Sequence, residues 1–254
     1  MKKIFIPTPL DNEIRIPKDT THHIVNVFRH NFAQPITVSG SDGRTADYII
    51  KDVVDGEAHA TCVNSEVLQN NESDNEVGES SDMVSIVLIQ AFLKGDKFEW
   101  VLQKATELDA AAIYAVPLAH CVANYNDKKL QQKADRWQKI VLEAAQQCGR
   151  NQLPLLDVSL SLDAVLAAEE AKGTLLLVAY ENEEKDNLRH VLEGLTEKPK
   201  RVAIIIGPEG GISAKEVEQL LSKGVQPVSL GGTILRAETA AISAISMLQY
   251  ALNL

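Results

Sequence analysis

The chain has few cysteines, no long apolar run and no excess of basic charge, and each shortage excludes something. Its 254 residues hold three cysteines, Cys62, Cys121 and Cys148. The number is odd and the spacing wide. That argues against a disulfide framework or a zinc site and points to a reducing, cytoplasmic setting. No apolar run approaches the roughly 18 residues of a membrane-spanning helix. The opening Met1-Lys2-Lys3-Ile4-Phe5-Ile6-Pro7-Thr8-Pro9 has two lysines but lacks the apolar stretch of a signal peptide.

The net charge is −10, where a nucleic-acid binder is expected to present basic surfaces to phosphate. The distribution softens the objection. Residues 1–65 carry −1, residues 66–82 carry −6 and residues 83–254 carry −3. The excess sits in one stretch, and both flanking regions are near neutral. That stretch, Ser65 to Asp82, is polar and almost free of large apolar groups, so it cannot offset its own ordering entropy. We expect a domain over 1–70, an acidic linker over 71–82 and a second domain over 83–254.

The two regions differ in rhythm. Before the linker, short strand-like runs (Ile4–Ile6, Ile14–Ile16, Ile36–Ser39, Ala46–Asp52 and Ala58–Asn64) alternate with turn residues. Ser41-Asp42-Gly43 and Asp55-Gly56 read as hairpin turns, and Thr21–Arg29 as a helix. This predicts a small β-barrel. After the linker, apolar strands (Val84–Ala91, Ile113–Leu118, Leu175–Tyr180, Val202–Ile206, Val225–Leu230) alternate with helices (Lys97–Leu108, Lys128–Gln147, Leu162–Ala171, Ala214–Lys223, Glu238–Leu252). Strand and helix in alternation predict an α/β fold with a parallel sheet, whose ligands bind beyond the carboxyl ends of the strands.

Two strand-to-helix junctions carry glycine motifs. The first is Ile206-Gly207-Pro208-Glu209-Gly210-Gly211-Ile212-Ser213, in which Ser213 and Glu216 form an S-x-x-E capping box. It fails the spacing of a phosphate-binding P-loop and of a dinucleotide fingerprint. Taken alone it is equally a tight turn. The second is Ser229-Leu230-Gly231-Gly232-Thr233-Ile234-Leu235-Arg236-Ala237-Glu238-Thr239-Ala240-Ala241, which leads into the last helix. Alone, it reads as a surface arginine before a capped helix.

Together the two motifs resemble the SPOUT methyltransferases, and within them the RsmE family, which methylates N3 of a uridine in 16S ribosomal RNA. Further stretches carry the resemblance. Gln103-Lys104-Ala105-Thr106-Glu107-Leu108 is similar to the family's QKATELG helix, and Glu143 to Arg150 to its EQSGR segment, followed by Pro154. Thr21 to Arg29 is similar to the helix of the family's PUA-like domain. Asp109 stands where the family has glycine, and Phe28 and His30-Asn31-Phe32-Ala33 depart from its pattern.

The resemblance implies a trefoil knot in the C-terminal domain, a PUA-like RNA-binding domain before it, and a homodimer. It implies S-adenosylmethionine as methyl donor, held by Gly207, Pro208, Glu209, Gly210, Gly211, Leu230, Gly231, Ile234, Leu235, Thr239 and Ala240. The partner implied is 16S rRNA in the small ribosomal subunit. The donor's activated methyl needs no metal. Uracil N3 must be unpaired and must lose its proton, so a cation is needed beside the resulting anion. Arg236 is the first candidate and Arg150 the second. Glu209 is a candidate general base, or equally a structural hydrogen-bond acceptor. Arg29, His22 and Arg150 are candidate RNA contacts, although a histidine pair opening a helix is also plain local structure. Trp100 and Trp137 read as helix-face packing, and the lysines and arginine from Lys128 to Lys139 as a solvated face. Two readings compete: the same chemistry on another rRNA site or a tRNA, and a non-catalytic RNA-binding factor. The intact glycines and the complete Ile234–Ala240 run count against the second.

Overall fold

The computed structural model describes residues 3–27, 29–65, 68, 83–123, 125, 127–158, 161–181, 183 and 186–254. The expected linker, 71–82, and Phe28 lie outside those residues. Contacts gather into two compact units: residues 1–79 with 145–152, and residues 80–144 with 153–254.

The first unit is a curled five-stranded sheet. Strands β1 (Lys3–Phe5), β2 (Glu13–Ile16), β3 (Ile36–Ser39), β4 (Thr45–Val54) and β5 (Glu57–Cys62) lie in the order β1-β3-β4-β5-β2. All neighbours are antiparallel except β1 and β3. Alternate residues of β4, namely Ala46, Tyr48 and Ile50, face a core shared with Ile4, Ile16, Ile36 and Val38. Asp55-Gly56 closes the β4–β5 hairpin with positive φ at both residues, 51° and 86°, the backbone an Asp-Gly pair favours. The helical stretch begins earlier than its apolar spacing suggests. Helix α1 (Lys18–His22) follows Pro17 and continues into a π-helical turn, His23–Val27. The Thr21 hydroxyl pins it by donating to the Ile16 carbonyl and accepting from the Ala58 amide, each at 2.9 Å.

Residues 145–152, expected within the second domain, group instead with the first unit. There the Lys3 ammonium donates to Asn151 Oδ1 at 2.5 Å.

The second unit is a parallel six-stranded sheet in the order β11-β9-β10-β6-β7-β8, with helices on both faces. Its elements are β6 (Ser85–Ala91), α2 (Lys97–Glu107), β7 (Ala112–Val116), α3 (Asp127–Cys148), β8 (Leu155–Asp157), α4 (Leu162–Glu170), β9 (Leu175–Ala179), α5 (Leu188–Glu193), β10 (Arg201–Ile206), α6 (Ala214–Ser222), β11 (Gln226–Val228) and α7 (Ala237–Asn253). Strand β6 shows why its run is continuously apolar. Ile86 and Leu88 pack towards α2, α3, α5 and α7, while Val87 and Ile89 pack towards α4 and α6. The alternation of strand and helix is therefore borne out. Strand β8 and helix α5 are too short, at three and six residues, to show a period.

Two helix ends explain two residues. Helix α2 closes with Asp109 at φ 61°, the Ala110 amide reaching the Ala105 carbonyl at 3.0 Å and the Asp109 amide reaching Thr106 at 3.2 Å. This is the Schellman arrangement, which prefers glycine and which aspartate tolerates better than most side chains. Helix α3 closes on Gly149 at φ 79°, with the Gly149 and Arg150 amides both on the Ala145 carbonyl. The glycine of the Cys148-Gly149-Arg150 run is thus a helix terminator. Trp137 is buried in the core as expected, but Trp100 is half exposed with the Lys104 ammonium 4.9 Å from its ring centroid.

Candidate functional site

The site is built by three adjacent strand exits. Because β9 lies between β10 and β11, the loops leaving these strands stand side by side at the carboxyl edge of the sheet. The outer two are the glycine motifs, and the middle one is Tyr180-Glu181.

The loop after β10 is clamped from both sides. Gly211 sits at φ 72°, turning the chain so that its amide meets the Pro208 carbonyl at 3.0 Å. Ser213 and Glu216 form the expected capping box of α6. The other oxygen of Glu216 accepts from the Ala119 amide at 2.7 Å, and His120 Nδ1 lies 3.0 Å from the Gly210 carbonyl. On the opposite side, Glu209 Oε1 accepts from the Lys94 amide at 3.1 Å and faces Lys97 Nζ at 3.5 Å. Lys97 also lies 3.6 Å from Glu238 Oε2 in the first turn of α7, so one ammonium sits between the two motifs. Burial pushes the Glu209 carboxyl up, but the amides of Glu209 and Lys94 and the charge of Lys97 outweigh it. The group is held below the ordinary glutamate range. A carboxylate so engaged is a poor proton acceptor at neutral pH.

The loop after β11 is open. Gly231, Gly232, Thr233 and Ile234 are exposed, and Ile234 is 83% accessible although wholly apolar. Its internal tie is the Ser229 hydroxyl, which meets the Gly231 amide and carbonyl at 3.3 and 3.1 Å. Arg236 is the N-cap residue of α7 in extended conformation (φ −64°, ψ 151°), and its exposed side chain makes no capping bond.

Two clefts meet here. One is walled by Leu230, Gly231, Ile234 and Leu235 with the exit of β9, the other by Gly207–Ile212, Lys97 and Arg236. Of the residues expected to hold a donor, all but Thr239 line one or both. Thr239 is exposed, while its neighbour Ala240 lines both clefts. Arg236 and Glu209 share the second cleft. Arg150 belongs to the first unit, where its Nε donates to the Gln152 carbonyl at 3.0 Å. His22 and Arg29 are exposed in that same unit, Arg29 at φ 47°. Three charged cleft residues escaped the sequence reading, Lys97, Glu181 and Glu183. Glu181 carried a usable signal, since it stands just past the carboxyl end of an apolar strand.

Fold and site together define an α/β domain of the doubly wound kind, with a ligand cleft between glycine loops at the sheet's carboxyl edge. Residues 80–249 match the model of the RNA methyltransferase domain family. The chain is 33% identical over 239 residues to ribosomal RNA small subunit methyltransferase E of Bacillus subtilis, covering 92% of this chain and 89% of that one. Among solved structures it is similar to a methyltransferase from Legionella pneumophila in complex with its cofactor S-adenosylmethionine, with a TM-score of 0.81, 31% identity and coverage of 98% and 97%. It is also similar to ribosomal RNA small subunit methyltransferase E from Neisseria gonorrhoeae bound to S-adenosylmethionine, with a TM-score of 0.80, 25% identity and the same coverage. The chain belongs to the RNA methyltransferase family, among the ribosomal RNA small subunit methyltransferases E.

Proposed function

We propose that this chain transfers a methyl group from S-adenosylmethionine to N3 of a uridine in 16S rRNA. By family it is an S-adenosylmethionine-dependent methyltransferase of small-subunit ribosomal RNA. The observation that carries the finer reading is the convergence of both glycine loops on two joined clefts, the second of which also holds Arg236.

The residues suit the donor. Leu230, Ile234 and Leu235 offer apolar walls for an adenine ring, and the glycine-rich backbone lets a ligand approach closely. When bound, the donor supplies an electrophilic methyl on sulfur. The chain's own task is to hold the acceptor base out of its stack and to stabilise the charge that appears when N3 loses its proton. Arg236 has the position for the second role: it lines the cleft, and its guanidinium makes no capping bond to its helix. Glu209 is a positioning residue that ties the first loop to Lys94 and Lys97, rather than the base. Arg29, His22 and Arg150 are proposed as RNA contacts of the first unit, which we read as PUA-like.

Three further readings complete the proposal. A trefoil knot is supported by the return of the chain from β11, at the sheet edge, to place α7 against β10 and β6. A homodimer is supported by Met247 and Tyr250, exposed and three residues apart on α7, with the exposed Leu254 just past the end of that helix. A cytoplasmic location follows from the rRNA target. The test is incubation with labelled donor and small subunits from cells lacking the endogenous enzyme, followed by nucleoside mass spectrometry. 3-Methyluridine is expected, and label in a different methylated nucleoside would contradict the assignment.

A further inference from the structure

We propose that Glu181 is a donor-binding residue whose carboxylate accepts hydrogen bonds from the two ribose hydroxyls of S-adenosylmethionine. This assignment rests on the donor-site reading above and adds to it the residue that grips the sugar. Glu181 follows β9, the strand flanked by β10 and β11, so it stands between the two glycine loops. The two clefts have five residues in common, Ala179, Glu181, Ile234, Leu235 and Ala240, and Glu181 alone among them is polar. The ligand's shape then decides the match. An adenine against Leu230, Ile234 and Leu235, with the reacting end towards Arg236, leaves the ribose at the walls both clefts share.

The carboxylate is available. Among the described residues it has no hydrogen-bond or ion-pair partner, unlike Glu209 and Glu216, whose oxygens are taken by neighbouring loops. Room has also been left for it. A Cβ at Gly211 would sit 3.0 Å from Glu181 Oε1, so a side chain there would crowd the carboxylate. An ionised carboxylate can accept from two vicinal hydroxyls at once, and bonds to a charged acceptor are the strong ones.

The test is calorimetric titration of wild type and Glu181→Gln with S-adenosylmethionine, S-adenosylhomocysteine and the 2′-deoxy form of the latter, with ligand-free thermal unfolding as the control for folding. The variant is expected to bind both natural ligands roughly 10- to 100-fold more weakly, by similar factors. Removal of the 2′-hydroxyl should weaken wild type far more than the variant. Glu181→Asp, which keeps the charge on a shorter arm, should recover part of the affinity. Unchanged affinity in Glu181→Gln overturns the assignment. So does a loss confined to S-adenosylmethionine, which would mean that the carboxylate senses the sulfonium charge. A wild type that binds neither ligand overturns the donor-site reading and this assignment with it.

Discussion

The two glycine loops differ more than their similar composition suggests. The loop after β10 is held by Lys94 and Lys97 through Glu209 on one side and by Ala119 and His120 on the other. The loop after β11 is anchored at Ser229, through Asp186 and Leu188, and opens beyond it: a Cβ at Gly231 or Gly232 would meet nothing within 4 Å, and Ile234 lies open. The difference teaches a division of labour. A preorganised loop loses little freedom on binding and suits a small ligand of fixed shape. An exposed loop can close on a ligand after it arrives, and Arg236 at its end, which makes no capping bond to its helix, is placed to meet a flipped base. On this account the first loop gives the donor site its rigid wall, Leu230, Ile234 and Leu235 of the second close on the adenine, and Arg236 at the end of the second serves the acceptor.

Breaking the rigid loop is expected to have the largest effect on donor binding. Gly211→Val places a β-branched side chain at φ 72° and against Glu181, a strain of about 1–3 kcal/mol. Donor affinity should fall roughly 10- to 100-fold by calorimetry. Next comes the clamp itself. Glu209→Gln removes the charge facing Lys97 and should weaken donor binding roughly fivefold, about 1 kcal/mol for a partly exposed pair. The same clamp has a pH signature. Its folded-state pKa is depressed, so its contribution is complete above the ordinary glutamate value of 4.5 and is lost only as pH falls through the lower folded value. Donor affinity should therefore be unaffected by this group from pH 8 down to 4.5, weakening only as pH falls through the lower folded value in wild type but not in Glu209→Gln. By contrast, Gly232→Ala in the open loop should change donor affinity less than about twofold, because the added methyl meets no neighbour. Smallest of all, and away from the loops, Asp109→Gly should raise stability by about 0.5 kcal/mol in chemical denaturation, by relieving the φ 61° helix end.

The parallel sheet was legible because strands buried on both faces leave continuous apolar runs, as in Ile86–Ile89, and helices leave a 3.6-residue period. Asp55-Gly56 and the Ser213/Glu216 box were legible because short-range turn and cap chemistry is local. The grouping of residues 145–152 with the first unit was not, since it rests on contacts between distant parts of the chain, such as Asn151 with Lys3, 148 positions away. Nor was the role of Glu209 settled by its motif: the partners that hold it, Lys94 and Lys97, lie 115 and 112 positions earlier. Lys97 looks like an ordinary surface charge until the fold brings the start of α2 beside the glycine loops, and Glu181 is marked in the sequence only by its place just past an apolar strand.

The division of labour is tested most directly by measuring donor affinity and methyl transfer on one preparation of Arg236→Ala. The account predicts that transfer to the small subunit falls by about 100-fold or more, the range for removing a group that stabilises charge in the transition state. Donor affinity should stay within about twofold of wild type, the range for an exposed side chain. Donor affinity falling as far as transfer would contradict it, by showing that Arg236 holds the donor site together rather than serving the acceptor.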